Sequence, residues 1–126
     1  MIILYFKIKC SSSRKAHKWF NKFGIPINSI PINKISKKDI IHILAITDKG
    51  IDGIIKRPVG NNSKISTDIS RLENLNFNDA INYLKTHPEL LKTPIIIENN
   101  KILIGYNINE IRKFLPRTYR YHNLKK

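Results

Sequence analysis

Two hydrophobic patterns alternate along the chain. Short apolar runs predict strands, and apolar residues recurring every three or four positions predict helices. Residues 2–6 are β-branched and aromatic and read as a first strand. The polar stretch 7–13 ends in three serines, which suit a helix start. Ala16, Trp19, Phe20 and Phe23 then fall on one helical face, and Gly24 and Pro26 stop that helix. Residues 27–32 read as a second strand. Ser36 and Asp39 form a capping pair for a helix carried by Ile40, Ile43, Leu44 and Thr47 and closed by Lys49-Gly50. Residues 51–55 read as one further helical turn, and 56–64 as a loop rich in turn residues. Residues 77–86 predict a helix with Ala80, Ile81 and Leu84 inward and Pro88 beyond it. Residues 94–98 and 101–104 read as a hairpin about Asn99-Asn100, because Asn tolerates the positive φ of a tight turn. Asn107 and Glu110 are spaced as a cap and its third residue, ahead of Ile111, Leu115 and the stop at Pro116.

This order predicts an α/β fold of the thioredoxin-like arrangement, a β-α-β unit plus a later β-β-α unit, with a helical insertion. On that reading, 1–126 is a single domain. Residues 1–35 and 93–116 form its core, 36–92 the insertion, and 117–126 a basic tail without an acid. A length of 126 residues suits one domain, and 41% hydrophobic residues suffice for a packed core. No apolar run approaches the ~20 residues of a membrane span. The apolar N-terminus is too short, and precedes rather than follows its basic residues, so it does not read as a signal peptide. A soluble cytoplasmic protein without a membrane is the expectation. Lys and Arg number 23 against 9 acids, giving 23 − 9 = +14. Ile, Lys and Asn together supply 56 of the 126 residues, so part of this charge reflects a chain-wide bias. The remaining field still favours nucleic acid or an acidic protein partner.

One cysteine excludes an internal disulfide. Cys10 lies between the first strand and the first helix, where the helix dipole, unpaired N–H groups and the cations Arg14 and Lys15 would favour a thiolate. Ser13 stands three residues on, giving Cys-X-X-Ser. Both an inert thiol and one open to glutathionylation or an intermolecular disulfide fit this pattern. His17, His42, His87 and His122 lack ligand spacing and read as surface residues, and Trp19 reads as core. With no Gly-rich phosphate loop, zinc motif or carboxylate pair, neither a metal nor another cofactor is expected.

Several motifs resemble the Spx regulators of the arsenate-reductase-like, or ArsC, branch of thioredoxin-like proteins. They are Cys10-X-X-Ser13-Arg14-Lys15-Ala16, Trp19, Gly24-Ile25-Pro26, Ile46-Thr47-Asp48-Lys49-Gly50, His87-Pro88-Glu89-Leu90-Leu91, Pro94-Ile95-Ile96-Ile97, Gly105-Tyr106-Asn107 and Phe114-Leu115-Pro116-Arg117. They run in order over almost the whole chain. The resemblance implies a stress-response transcriptional regulator, not an enzyme. It would bind the C-terminal domain of the RNA polymerase α subunit, engage promoter DNA as that complex, and be kept low by a Clp-type protease. It also implies that Gly50 lies at the α-subunit contact, although simple helix termination explains a glycine there equally well, and that Pro94 is a cis proline facing the cysteine loop. Lys56, Arg57 and Lys64 are then candidate phosphate contacts, or else a solvated loop. The sequence departs from the family at Ser13, which removes the second cysteine of the redox pair, and at Thr93, where an arginine is usual. The alternative function is a thiol oxidoreductase of arsenate-reductase-like or monothiol-glutaredoxin-like type. Thr93 and Gly105-Tyr106-Asn107 leave it short of the arginines that would cradle an oxyanion.

Overall fold

The computed structural model describes residues 1–56 and 63–116, with side chains from residue 67 onward in the second stretch. The chain packs as two units, one from Met1–Ile30 with Thr93–Lys126, the other from Pro31–Lys92.

The first unit is built on a sheet of β1 (Ile2–Phe6), β2 (Ile27–Pro31), β3 (Ile95–Glu98) and β4 (Lys101–Ile104), in the order β2-β1-β3-β4. β3 runs antiparallel to β1, with Leu4 opposite Ile96, and antiparallel to β4, with Ile96 opposite Leu103. The hairpin turns at Asn99, whose φ of 53° is the left-handed conformation the Asn-Asn pair allows. Helix α1 (Ser11–Lys22) joins β1 to β2 and packs Ala16, Trp19 and Phe20 into a core with Leu4, Ile96, Leu103, Ile111 and Phe114. Trp19 meets the Phe20 ring edge-on at 5.1 Å, so it is a core residue, as its spacing predicts. The chain leaves α1 through Gly24 at φ +64°, the left-handed geometry that a side chain disfavours. After β4, Asn107 Oδ1 accepts from the Glu110 N–H at 3.0 Å and opens a 3-10 turn, Glu110–Phe114, in place of the α-helix that the spacing predicts. Together these elements give the α/β, thioredoxin-like arrangement.

The second unit is helical: α2 (Lys37–Ile46), α3 (Ile51–Ile54), α4 (Ser63–Glu73) and α5 (Phe77–Thr86), with 3-10 turns at Ile32–Lys34 and Pro88–Leu90. Pro31 to Ile35 packs with this unit, where Ile32 and Ile35 are buried. Ser36 caps α2 by accepting the Asp39 N–H at 3.1 Å, and Asn76 caps α5 by accepting the Asp79 N–H at 2.9 Å. α2 and α5 pack together, α2 burying Ile40 and Ile43 and α5 burying Ala80, Ile81 and Leu84, and Lys85 Nζ donates to the Ile35 carbonyl at 2.6 Å. Tyr83 on α5 donates to the buried Asp68 carboxylate on α4 at 3.0 Å, giving that carboxylate a partner on the neighbouring helix. An isolated antiparallel bridge, Ile55 to Leu91, ties the strand-like exit of α3 to the segment after Pro88–Leu90.

Candidate functional site

Cys10 is the N-cap of α1, with extended backbone angles, so the helix begins one residue after the thiol. The predicted serine cap is replaced by a different arrangement. Ser13 turns inward, is 1% exposed, and accepts the Lys7 N–H at 3.3 Å. Its hydroxyl proton is thereby left for Cys10. The thiol Sγ lies 3.5 Å from the Thr93 carbonyl, to which it donates when protonated. The Thr93–Pro94 peptide is cis. Burial pushes the thiol upward. Hydrogen bonds from the Ser13 and Thr93 side-chain hydroxyls and from the Ser13 and Ser12 backbone outweigh it and bring the thiol from its ordinary 9.0 down to about 7. Arg14 and Lys15 do not contribute as the sequence suggests. Both are exposed on α1, and the groups that favour the thiolate are neutral.

A histidine that the sequence assigns to the surface does more. His17 is half-buried, with Phe6 edge-on to its ring at 5.3 Å. Its Nδ1 lies 3.0 Å from the Ser13 carbonyl and its Nε2 2.7 Å from Ser29 Oγ. A carbonyl can only accept, so Nδ1 carries the proton and Nε2 accepts from Ser29. This clips β2 to the helix that carries Cys10. No spacing rule announces the pair, because the two residues meet only when β2 folds beside β1.

In the second unit, α2 ends at Ile46 with Thr47 as C-cap, four residues before Gly50. Gly50 therefore does not close α2; it opens α3 as its N-cap, at φ 60° and ψ −143°. A Cβ built on Gly50 meets nothing within 4 Å, so the backbone angle, not crowding, requires glycine there. Gly53 is the reverse case: its Cβ would lie 2.9 Å from Lys49 Cβ, and the sequence reading does not anticipate this close approach. Lys56 follows the Ile55 bridge, and its N–H donates to the Leu90 carbonyl at 2.7 Å. Arg57 lies outside the described residues. Lys64, expected in a loop, belongs to the first turn of α4, and its side chain lies outside the described residues. Among the described residues no cluster of His, Cys, Asp or Glu could hold a metal ion, and no helix is long and apolar enough to cross a membrane.

A model of the ArsC family matches residues 5–114. The global transcriptional regulator Spx of Streptococcus pneumoniae is 35% identical over 127 residues, which covers 99% of this chain and 93% of that protein. Global transcriptional regulator Spx 1 of Lactococcus lactis is 35% identical over 122 residues, covering 95% of this chain and 93% of the relative. A Staphylococcus aureus protein solved by NMR has a TM-score of 0.73 at 20% identity, over 90% of this chain and 97% of that one. The crystal structure of a possible arsenate reductase from Streptococcus mutans has a TM-score of 0.69 at 24% identity, over 85% and 92%. These two share the fold. With the family model matched over residues 5–114 and 35% identity to an Spx protein over nearly the whole chain, the chain belongs to the ArsC family, in its Spx branch.

Proposed function

We propose that this protein is a transcriptional regulator of the Spx type. It binds the C-terminal domain of the RNA polymerase α subunit through the surface around Gly50 and modulates promoter engagement, with Lys56, Arg57 and Lys64 contacting phosphates. The observation that carries this reading is the identity of 35% across 99% of the chain to a protein that is itself a global regulator. The Gly50 turn is compatible with it: the backbone is held at φ 60° with open space around Cα, so a partner can approach the main chain closely. The chain acts as a binding protein in this reading, and no catalytic residue is assigned.

A specific observation favours the runner-up. A thiol at about 7 is half thiolate near neutral pH, which suits redox chemistry. Against arsenate reduction, the groups that stabilise that thiolate are hydroxyls and backbone N–H groups, not arginines able to grip an oxyanion. Run-off transcription separates the two. The protein should alter output from a responsive promoter with intact polymerase and have no effect with polymerase lacking the α C-terminal domains. Equal effects on both enzymes, or glutathione-linked arsenate turnover by the purified protein, would replace the regulator reading.

A further inference from the structure

Every acidic residue of the chain lies between Asp39 and Glu110. Residues 1–38 carry Lys7, Lys9, Arg14, Lys15, Lys18, Lys22, Lys34, Lys37 and Lys38 and no acid. A chain-wide lysine bias raises the number of cations but does not remove acids from one third of a sequence, so the segregation stands apart from that bias. The fold turns part of it into a surface. α1 buries Ala16, Trp19 and Phe20 and leaves Arg14, Lys15, Lys18 and Lys22 exposed on its other side. Arg14, Lys18 and Lys22 are spaced i, i+4, i+8 and form a row. At 1.5 Å of rise per residue the row is about 12 Å long. None of these cations forms an ion pair with a described residue, and Glu98, one of the two acids of this unit, pairs with Lys101. Lys22 instead has its Nζ 5.5 Å from the centre of the Phe23 ring, which steadies the end of the row. Lys7 and Lys9 add exposed charge in the loop before the helix.

We propose that this face of α1 is a docking surface for the phosphate backbone of duplex DNA, formed by other residues than Lys56, Arg57 and Lys64. The proposal rests on the regulator reading above and deepens it. The chemistry is charge complementarity. A duplex presents one negative charge per roughly 1.7 Å of axis, and a rigid row of cations with no internal acid to satisfy them can displace condensed counterions along that line. Charge alone drives the contact, so it is made with phosphates and positions the protein without selecting sequence.

The test uses the full chain and fluorescently labelled 20-base-pair duplexes of two unrelated sequences, titrated across a salt series. Each phosphate contact contributes a slope of about 0.9 to the dependence of log K on log salt. The R14Q/K18Q/K22Q variant should lower the slope by about 2 to 3 and weaken binding roughly tenfold or more near 0.1 M salt, equally for both sequences. Gln preserves helix propensity at these positions. K34Q/K37Q/K38Q removes the same charge from the second unit and should lower the slope by less than about one. Equal losses in the two variants would mean that net charge alone acts, and an unchanged slope in the α1 variant would mean that the face does not meet DNA; either result overturns the proposal. Should the α1 variant lose helicity, acetylation of the wild-type complex decides the question. DNA should shield Lys15, Lys18 and Lys22 more than Lys34, Lys37 and Lys38, and equal shielding overturns the proposal. Titration of the isolated α C-terminal domain in parallel keeps the readings apart. An α1 variant that binds DNA normally but loses the α domain assigns the face to a protein partner and ends the DNA proposal. A wild-type protein that binds DNA through α1 without binding the α domain contradicts the regulator reading alone.

Discussion

Replacing Ser13 with Ala removes the hydroxyl that does most to draw the Cys10 thiol down against burial. The folded environment lowers this thiol from 9.0 to about 7 through the hydroxyl of Ser13, Thr93 and two backbone groups. Losing the Ser13 hydroxyl should raise it from about 7 back toward the ordinary 9.0. Thiolate at pH 7 then falls from about half, with about one per cent as the limit if the thiol returns fully to 9.0. The rate of alkylation at one pH is a poor readout, because a more basic thiolate is also more nucleophilic and recovers about threefold for each unit. The assay is therefore the midpoint of the pH profile of iodoacetamide alkylation, followed by mass spectrometry on Cys10. The expected midpoint is about 7 for the wild type and higher for Ser13→Ala, between that value and 9.0. The variant also removes the hydroxyl that accepts the part-buried Lys7 N–H, worth about 0.5 to 1.5 kcal/mol of stability, so profiles are compared under conditions where circular dichroism shows both proteins folded. A wild-type midpoint near 9, or a variant midpoint that does not move, would refute the assignment of neutral hydrogen bonds as the cause.

Other outcomes follow from the same geometry. Ser13→Cys restores a Cys-X-X-Cys pair, and mild oxidation should then remove both thiols within a monomer, as counted with a chromogenic disulfide, whereas the wild type should keep its thiol or pair between molecules. Cys10→Ser should leave binding to the α C-terminal domain within about threefold, roughly 0.7 kcal/mol, as measured by calorimetry. Because the folded thiol is lowered, its contribution to stability is fully present above the unfolded value near 9 and is lost as pH falls through about 7. The melting temperature of the wild type relative to Cys10→Ser should therefore rise between pH 7 and pH 9. Phe20→Ala, at a side chain 1% exposed between Trp19 and Phe114, should cost about 3 to 5 kcal/mol in urea denaturation.

The parts of this fold that sequence patterns disclose are those set by local chemistry. The α1 face follows from the period of its apolar residues, α2 from Ser36 and Asp39, and the hairpin from Asn99-Asn100. Helix α4 escaped because its start at Ser63 abuts a Pro, Gly and Asn run, while its apolar positions Ile65, Ile69 and Leu72 sit among polar residues. Gly50 is visible as a glycine, but its placement at the head of α3 instead of the end of α2 depends on where Thr47 ends the preceding helix. At Cys10 the sequence discloses the residue and its place before a helix. The backbone N–H groups it credits do favour the thiolate, while Arg14 and Lys15 do not, and only the folded chain shows Ser13 inward and Thr93 brought beside the sulfur. Contacts between distant segments, such as His17 with Ser29, leave no local trace.

Calorimetric titration of the isolated polymerase α C-terminal domain with the wild-type protein, Gly50→Ala and Gly50→Arg is the decisive comparison. Both substitutions force a side chain onto a backbone at φ 60°, a strain of about 1 to 3 kcal/mol that they share, so Gly50→Ala controls for folding. The expected result is saturable binding near one to one for the wild type, a modest loss for Gly50→Ala, and loss of at least tenfold beyond that for Gly50→Arg, whose side chain projects into space the chain itself leaves open. No binding by the wild type, or equal binding by the folded Arg and Ala variants, would contradict an α-subunit contact at Gly50.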